Sequence, residues 1–111
     1  AGIYEISVVK NGKSKVLYIG ESVFTIVRCA SHLYELKKHP EYLGFTDETI
    51  GDSRIKLIFR VIEEIDDNKQ RKVREKELIK KIEPLSQNGI SDRQKNVEGK
   101  IRALTEFLNN V

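Results

Sequence analysis

Asn11-Gly12, set between two short runs of β-branched and aromatic residues, constrains this chain more than any other feature. Asn-Gly is the strongest short-range signal for a β-hairpin, because both residues tolerate the positive φ of a tight primed turn. The flanking runs, Ile3 to Val9 and Val16 to Ile19, therefore read as paired antiparallel strands, each with a tyrosine near its outer end. Period-two geometry puts Tyr4, Ile6 and Val8 on one face of the first strand and Ile3, Glu5, Ser7 and Val9 on the other. In the second strand Val16 and Tyr18 oppose Leu17 and Ile19. Register decides whether the tyrosines meet. A two-residue turn pairs Lys10 with Lys13 and sends Tyr4 and Tyr18 to opposite faces, whereas a three- or five-residue loop brings them to the same face.

At 111 residues the chain, 1–111, reads as one domain able to bury a core without a metal or disulfide staple. Hydrophobic residues at 39% and charged residues at 33% exclude a largely disordered chain. No apolar run approaches a bilayer span and nothing resembles a signal peptide, so a soluble, cytoplasmic protein with no membrane partner is expected. There is no Met, and Ala1 reads as a processed or excised end. The lone Cys29 excludes an intrachain disulfide and a multi-cysteine zinc site, and reads as a small buried helix residue. A formal charge of +3 is compatible with an acidic partner but does not identify one.

After Glu21-Ser22, a loop and cap pair, a helix is expected from about Phe24 to Lys38, ended by Pro40. Ile26, Cys29, Ala30, Leu33 and the stem of Lys37 recur at helical spacing and form its expected core-facing stripe. Arg28, His32, Glu35 and His39 follow steps of four, three and four, so that the first two at least present their heads on one side of the helix. Residues 40–53 read as a long loop with at most a short helical turn, in which Tyr42 and Phe45 either pin the loop to the core or present an aromatic surface. A strand follows near 54–62, its Arg54, Lys56 and Arg60 either solvated or available to phosphates. Asp66, Asp67 and Asn68 can cap a helix reaching about Ile82. Leu78, Ile79 and Ile82 define its inner face, which projects back to Glu75. A carboxylate there implies a salt bridge to Arg71 or Arg28, a different helix phase, or a bound cation. A last helix carries the stripe Val97, Ile101, Leu104 and Leu108, with Lys95, Lys100 and Arg102 off it.

The unusual polar placements, Tyr4, Tyr18, Arg28, His32, Glu75 and Asn88, supply phenols, a permanent cation, an imidazole, a hard oxygen ligand and an amide. That set suits phosphodiester hydrolysis. One carboxylate can hold a hydrated Mg²⁺ or Mn²⁺ that takes substrate phosphate as a further ligand. Arginine matches developing charge on phosphoryl oxygens, and a phenol or imidazole of lowered effective pKa can orient or deprotonate water.

Gly2-Ile3-Tyr4, followed after thirteen residues by Tyr18-Ile19-Gly20, resembles the signature of the GIY-YIG nucleases, with a slightly longer gap than is usual there. Arg28 and His32 fall where that family's helix motif has them. The run Glu75 to Lys81, followed by Pro84, resembles the metal-glutamate helix in the nuclease domain of the bacterial nucleotide-excision-repair incision subunit. Asn88, with Gln87 as its rival, fits the family asparagine after the proline. The resemblance covers nearly the whole chain. It implies an α+β fold, a small three-stranded antiparallel sheet flanked by three or more helices, with strands near 2–9, 15–20 and 54–62.

The activity so implied is a metal-dependent DNA endonuclease. Glu75 would hold one divalent cation, Mg²⁺ or Mn²⁺. Tyr4 or Tyr18 would activate water, directly or through the other, and Arg28 would stabilise the transition state. His32 would orient a phenol or contact phosphate, and Asn88 would support the site. The implied partner is double-stranded or branched DNA, with a separate DNA-binding region possible and a nucleoid-associated location if bacterial. The alternative from the same residues is a non-catalytic nucleic-acid-binding or regulatory module that keeps the cleft but holds no metal. Convergence of both phenols on one cleft requires a longer or bulged hairpin connection, most simply one pairing near Lys10 with Ser14.

Overall fold

The computed structural model describes residues 1–87 and 97–111. Strands β1 (Gly2–Lys10) and β2 (Lys13–Ser22) are joined by Asn11-Gly12 at φ of 51° and 78°. That is the left-handed region favoured by these two residue types, so the tight turn forms and Lys10 pairs with Lys13. The expected Lys10–Ser14 pairing is thus corrected. The parity change comes farther along: Ile6 faces Tyr18 while Ser7 faces Val16, leaving Leu17 as an extra residue in β2. Such a bulge reverses which side the following residues face. Tyr4 and Tyr18 therefore share a face, as convergence requires, through a bulge within the strand and not through the loop.

β3 (Ile55–Glu64) pairs antiparallel with the other edge of β1, giving the order β2-β1-β3. The expected α+β fold, a three-stranded antiparallel sheet with helices against it, is the one observed. Both faces are covered. Tyr4, Ile6 and Val8 pack with Leu36 of α1 (Thr25–Lys38), with Tyr42 and Leu43 of a 3₁₀ turn (Pro40–Leu43), and with Leu104 and Leu108 of the C-terminal helix. Ile3 and Ile19 on the other face pack against Leu78 and Ile79 of the helix after β3.

The stretch 40–53 is more structured than a loop: beyond the 3₁₀ turn lies a short helix, α2 (Asp47–Ile50), closed by a reciprocal Thr46–Thr49 cap. Tyr42 and Phe45 are buried, which resolves the alternative in favour of pinning. α3 (Asn68–Ile82) starts where expected, with the Asp67 side chain accepting from the Gln70 N–H at 2.9 Å. The last helix, α4 (Val97–Asn109), buries Leu104 and Leu108 of the expected stripe. It also buries Lys100, expected off the stripe, whose Nζ reaches the Tyr42 carbonyl at 3.4 Å. The amine of Lys10 from β1 reaches across to the Leu108 carbonyl at 2.7 Å, placing a cation at the C-terminal end of α4. None of the described helices is long and apolar enough to cross a membrane.

The apolar stripe assigned to α1 faces the wrong way. Ile26 is 83% and Leu33 57% exposed, whereas His32 and Leu36 are buried and Cys29 is only half-buried. Periodicity measures transfer free energy alone, and here a buried imidazole with hydrogen-bond partners on both nitrogens turns the polar side of the helix inward.

The outer edge of β2 is closed by the segment after α3. Leu85 and Ser86 donate their N–H groups to the carbonyls of Val16 and Leu17, both at 2.9 Å. The Gln87 side chain continues the ladder, accepting from the Ile19 N–H at 2.8 Å and donating to the Ile19 carbonyl at 2.9 Å. This edge would otherwise present unpaired backbone beside the tyrosine strand. Gln87→Ala leaves two buried backbone groups without that partner, and denaturant unfolding should show a loss of about 1–3 kcal/mol.

Candidate active site

Tyr4 is completely buried in the middle strand, yet its hydroxyl is a polar group that requires a partner. Two features of the sequence provide for it. Across the ladder stands Gly20, where a β-carbon would collide with the Tyr4 hydroxyl, so only glycine lets the ring pass over β2. Beyond it, α1 delivers His32, whose Nε2 lies 2.8 Å from the phenol oxygen. The opposite ring nitrogen, Nδ1, lies 2.9 Å from the Tyr42 hydroxyl, which also donates to the His32 carbonyl at 3.1 Å. The result is a continuous chain Tyr4–His32–Tyr42 joining sheet, helix and 3₁₀ turn. Both imidazole nitrogens are thus within hydrogen-bond distance of a phenol.

Tyr18, brought to the same side by the bulge, lies with its ring centroid 4.9 Å from that of His32 and 6.2 Å from that of Tyr4. As a residue Tyr18 is half-buried, where Tyr4 is fully enclosed. Arg28, one turn before His32 on α1, lies close enough to both phenols to act on their ionisation. Burial raises both tyrosines above the usual phenol value, and the Arg28 guanidinium opposes that rise. Burial, reinforced by the same guanidinium, lowers His32 to about 4.

Glu75 lies on the inner side of α3, in line with the buried Arg71, Leu78 and Ile79, so the helix phase holds. Of the alternatives open for Glu75, a salt bridge to Arg71 or Arg28 is not seen among the described residues. Arg71, 1% exposed, gives its Nε to Glu21 at 2.6 Å and its other donors to Asn68 and to the Ile65 and Asp66 carbonyls. Among the described residues no ion pair involves Glu75. Burial, then the nearby Glu21 carboxylate, raises its pKa, and Glu75 in turn acts on the Tyr18 phenol. Lys72 and Lys76 oppose that rise from a distance but do not cancel it, and neither forms an ion pair with the half-buried carboxylate. Among the described residues no cluster of three or more His, Cys, Asp or Glu side chains could enclose an ion. A hydrated Mg²⁺, which keeps several waters and takes one or two carboxylates, fits this donor set.

No family model, curated protein or solved structure matches this chain.

Of the residues singled out from sequence, Tyr4, Tyr18, Arg28 and His32 are brought together, with Glu75 acting electrostatically on Tyr18. Asn88 lies outside the described residues. Its rival Gln87 is committed to the backbone of Ile19. Sequence reasoning missed two participants. Tyr42 is assigned there only a choice between core and surface, and Glu21 only a place in a loop. The remaining basic side chains of β3 and the segment before it are engaged in part: Arg60 pairs with the buried Glu5, and Arg54 with Asp52 at 2.8 Å.

His32 should remain neutral across pH 5–8, with Tyr4, Tyr18, Tyr42 and Arg28 as the titratable or charged groups facing it. Its folded-state value lies below the unfolded 6.5, so the unfolded chain binds more protons between about 4 and 6.5. The stability this difference confers is complete above that window and falls as pH drops through it. An NMR titration of the imidazole ring should give a midpoint near 4, whereas a midpoint near 6.5 would contradict the buried placement.

Proposed function

We propose that this protein is a divalent-metal-dependent DNA endonuclease, hydrolysing phosphodiester bonds of double-stranded or branched DNA at the cleft of Tyr4, Tyr18, Arg28, His32 and Glu75. The observation that carries the reading is the joint placement of two phenols backed by a neutral imidazole, a guanidinium beside both, and a half-buried carboxylate that makes no ion pair among the described residues. The likeness of the Gly2-Ile3-Tyr4 and Tyr18-Ile19-Gly20 runs to the GIY-YIG nucleases supports the same chemistry.

Glu75 would hold the metal ion, Mg²⁺ or Mn²⁺, and the ion supplies Lewis-acid polarisation of the scissile phosphate when bound. The protein's own groups do the rest. Tyr18, the less enclosed of the two tyrosines, accepts a proton from the attacking water while passing its own to Tyr4. Tyr4 passes its proton to Nε2 of His32. The water, with hydroxide character, bonds to phosphorus as the P–O bond to the departing sugar oxygen breaks; both phenols are again neutral, that oxygen takes up a proton from solvent, and the imidazole, whose pKa is lowered to about 4, gives its own up to solvent. Raised phenol pKa values keep the tyrosines protonated at rest, so a concerted relay avoids a free phenolate. Arg28 meets the negative charge that grows on the phosphoryl oxygens and on the phenols during transfer.

Cleavage of labelled duplex, flap and branched DNA should require Mg²⁺ or Mn²⁺. Glu75→Ala should lower the rate about a hundredfold or more, because metal polarisation contributes several kcal/mol. Arg28→Lys keeps the charge but loses the planar fork and should cost about tenfold or more. Wild-type protein that binds these DNAs in a salt-sensitive manner yet cuts none of them would identify a binding module instead.

A further inference from the structure

We infer that Tyr42 is a positioning residue that fixes the tautomer of His32, placing the ring proton on Nδ1 and leaving Nε2 as an open acceptor for Tyr4. The inference deepens the proposed nuclease reading and rests on it for its catalytic meaning, though its structural content stands separately.

The Tyr42 hydroxyl has a single hydrogen and lies within hydrogen-bond distance of two groups, the His32 carbonyl at 3.1 Å and Nδ1 at 2.9 Å. A carbonyl can only accept, so the Tyr42 hydrogen goes there and its oxygen must accept from Nδ1. Nδ1 then carries the ring proton, and a neutral imidazole has only one. Nε2 is bare and accepts the Tyr4 hydroxyl at 2.8 Å. The opposite tautomer would have Nε2 donate to Tyr4 and Nδ1 accept from Tyr42, which strips the hydroxyl–carbonyl contact. It would also leave no acceptor site on the ring for a proton leaving Tyr4.

Tyr42 is itself held in place by groups outside the site. It is buried within the main core cluster, its ring lies 9° from parallel to the His32 ring, and Lys100 of α4 approaches its carbonyl at 3.4 Å. The 3₁₀ turn thus serves the site as a rigid support. Its hydroxyl plays toward the imidazole the part that a carboxylate plays in many acid–base pairs, setting which nitrogen is protonated, but without adding a negative charge that would raise the imidazole pKa.

The direct test is the ¹⁵N chemical shifts of the His32 ring in the wild-type protein at neutral pH, with a His39→Asn variant used to assign the two histidines. The expected pattern is a protonated Nδ1 and an unprotonated Nε2. A proton on Nε2 in the wild type overturns the inference without recourse to any variant. Tyr42→Phe removes the acceptor on Nδ1 while keeping the ring, and should move the proton to Nε2 in a chain whose amide spectrum remains folded. An unchanged tautomer in that variant also overturns the inference. In cleavage assays Tyr42→Phe should lower kcat by about ten- to a hundredfold with KM little altered, since general-base assistance contributes at least that much. The expected ring shifts in wild-type protein that cuts no DNA would uphold the tautomer assignment and count against the nuclease reading alone.

Discussion

A phenol with no solvent exposure has to find a hydrogen-bond partner inside the protein, and the arrangement around Tyr4 follows from that requirement. Its ring projects from the middle strand across a position where only glycine leaves room, and its hydroxyl ends on an imidazole contributed by α1. That contact fixes the rotation of α1, which turns the polar side of the helix to the sheet and leaves Ile26 and Leu33 outside. His32 in turn needs a partner for its second nitrogen, and this ties the 3₁₀ turn through Tyr42. Lys100 extends the connection to α4. One chain of hydrogen bonds therefore couples β1, α1, the 3₁₀ turn and α4, with apolar packing of Ile6, Val8, Leu36 and Leu104 around it.

The other face of the sheet obeys a different constraint. α3 packs Leu78 and Ile79 on Ile3 and Ile19, and its first buried turn carries an arginine whose donors are all directed to named partners. Arg71 is paired with Glu21 and forms no ion pair with Glu75 one turn later. A structural ion pair and a carboxylate with raised pKa thus sit side by side, the more distant Lys72 and Lys76 only partly offsetting burial and the Glu21 charge. Desolvating a carboxylate next to another one is unfavourable, and such sites are where binding of a cation is chemically reasonable.

The strands were legible because alternation and the Asn11-Gly12 turn are local signals, whereas the order β2-β1-β3 depends on a pairing distant in sequence. Strand β3 and the starts of α1 and α3 agree with the sequence reading to within a few residues. The bulge at Leu17 was not legible as such, since nothing in the side chains around it distinguishes an extra residue in a strand from one in a loop. The face of α1 was misread for a physical reason: hydropathy gives no weight to hydrogen bonds formed on burial, and His32 has two ring contacts that exist only in three dimensions. Tyr42 was hidden for the same cause. Its spacing relates it to no other polar residue, and its role emerges only when the turn folds back under α1. Glu75 was legible because its helix supplies a strong phase from Leu78, Ile79 and Ile82, whereas the partner that Arg71 would choose was not.

The central claim is that the groups around Tyr4 and Glu75 direct water at a phosphodiester. It is tested most directly by incubating the protein with duplex and branched DNA and Mg²⁺ in ¹⁸O-labelled water, then weighing the products by mass spectrometry. The account predicts one ¹⁸O atom in the terminal phosphate created by each cut. Intact DNA under these conditions, or cuts whose new phosphate carries no label from solvent, would contradict it.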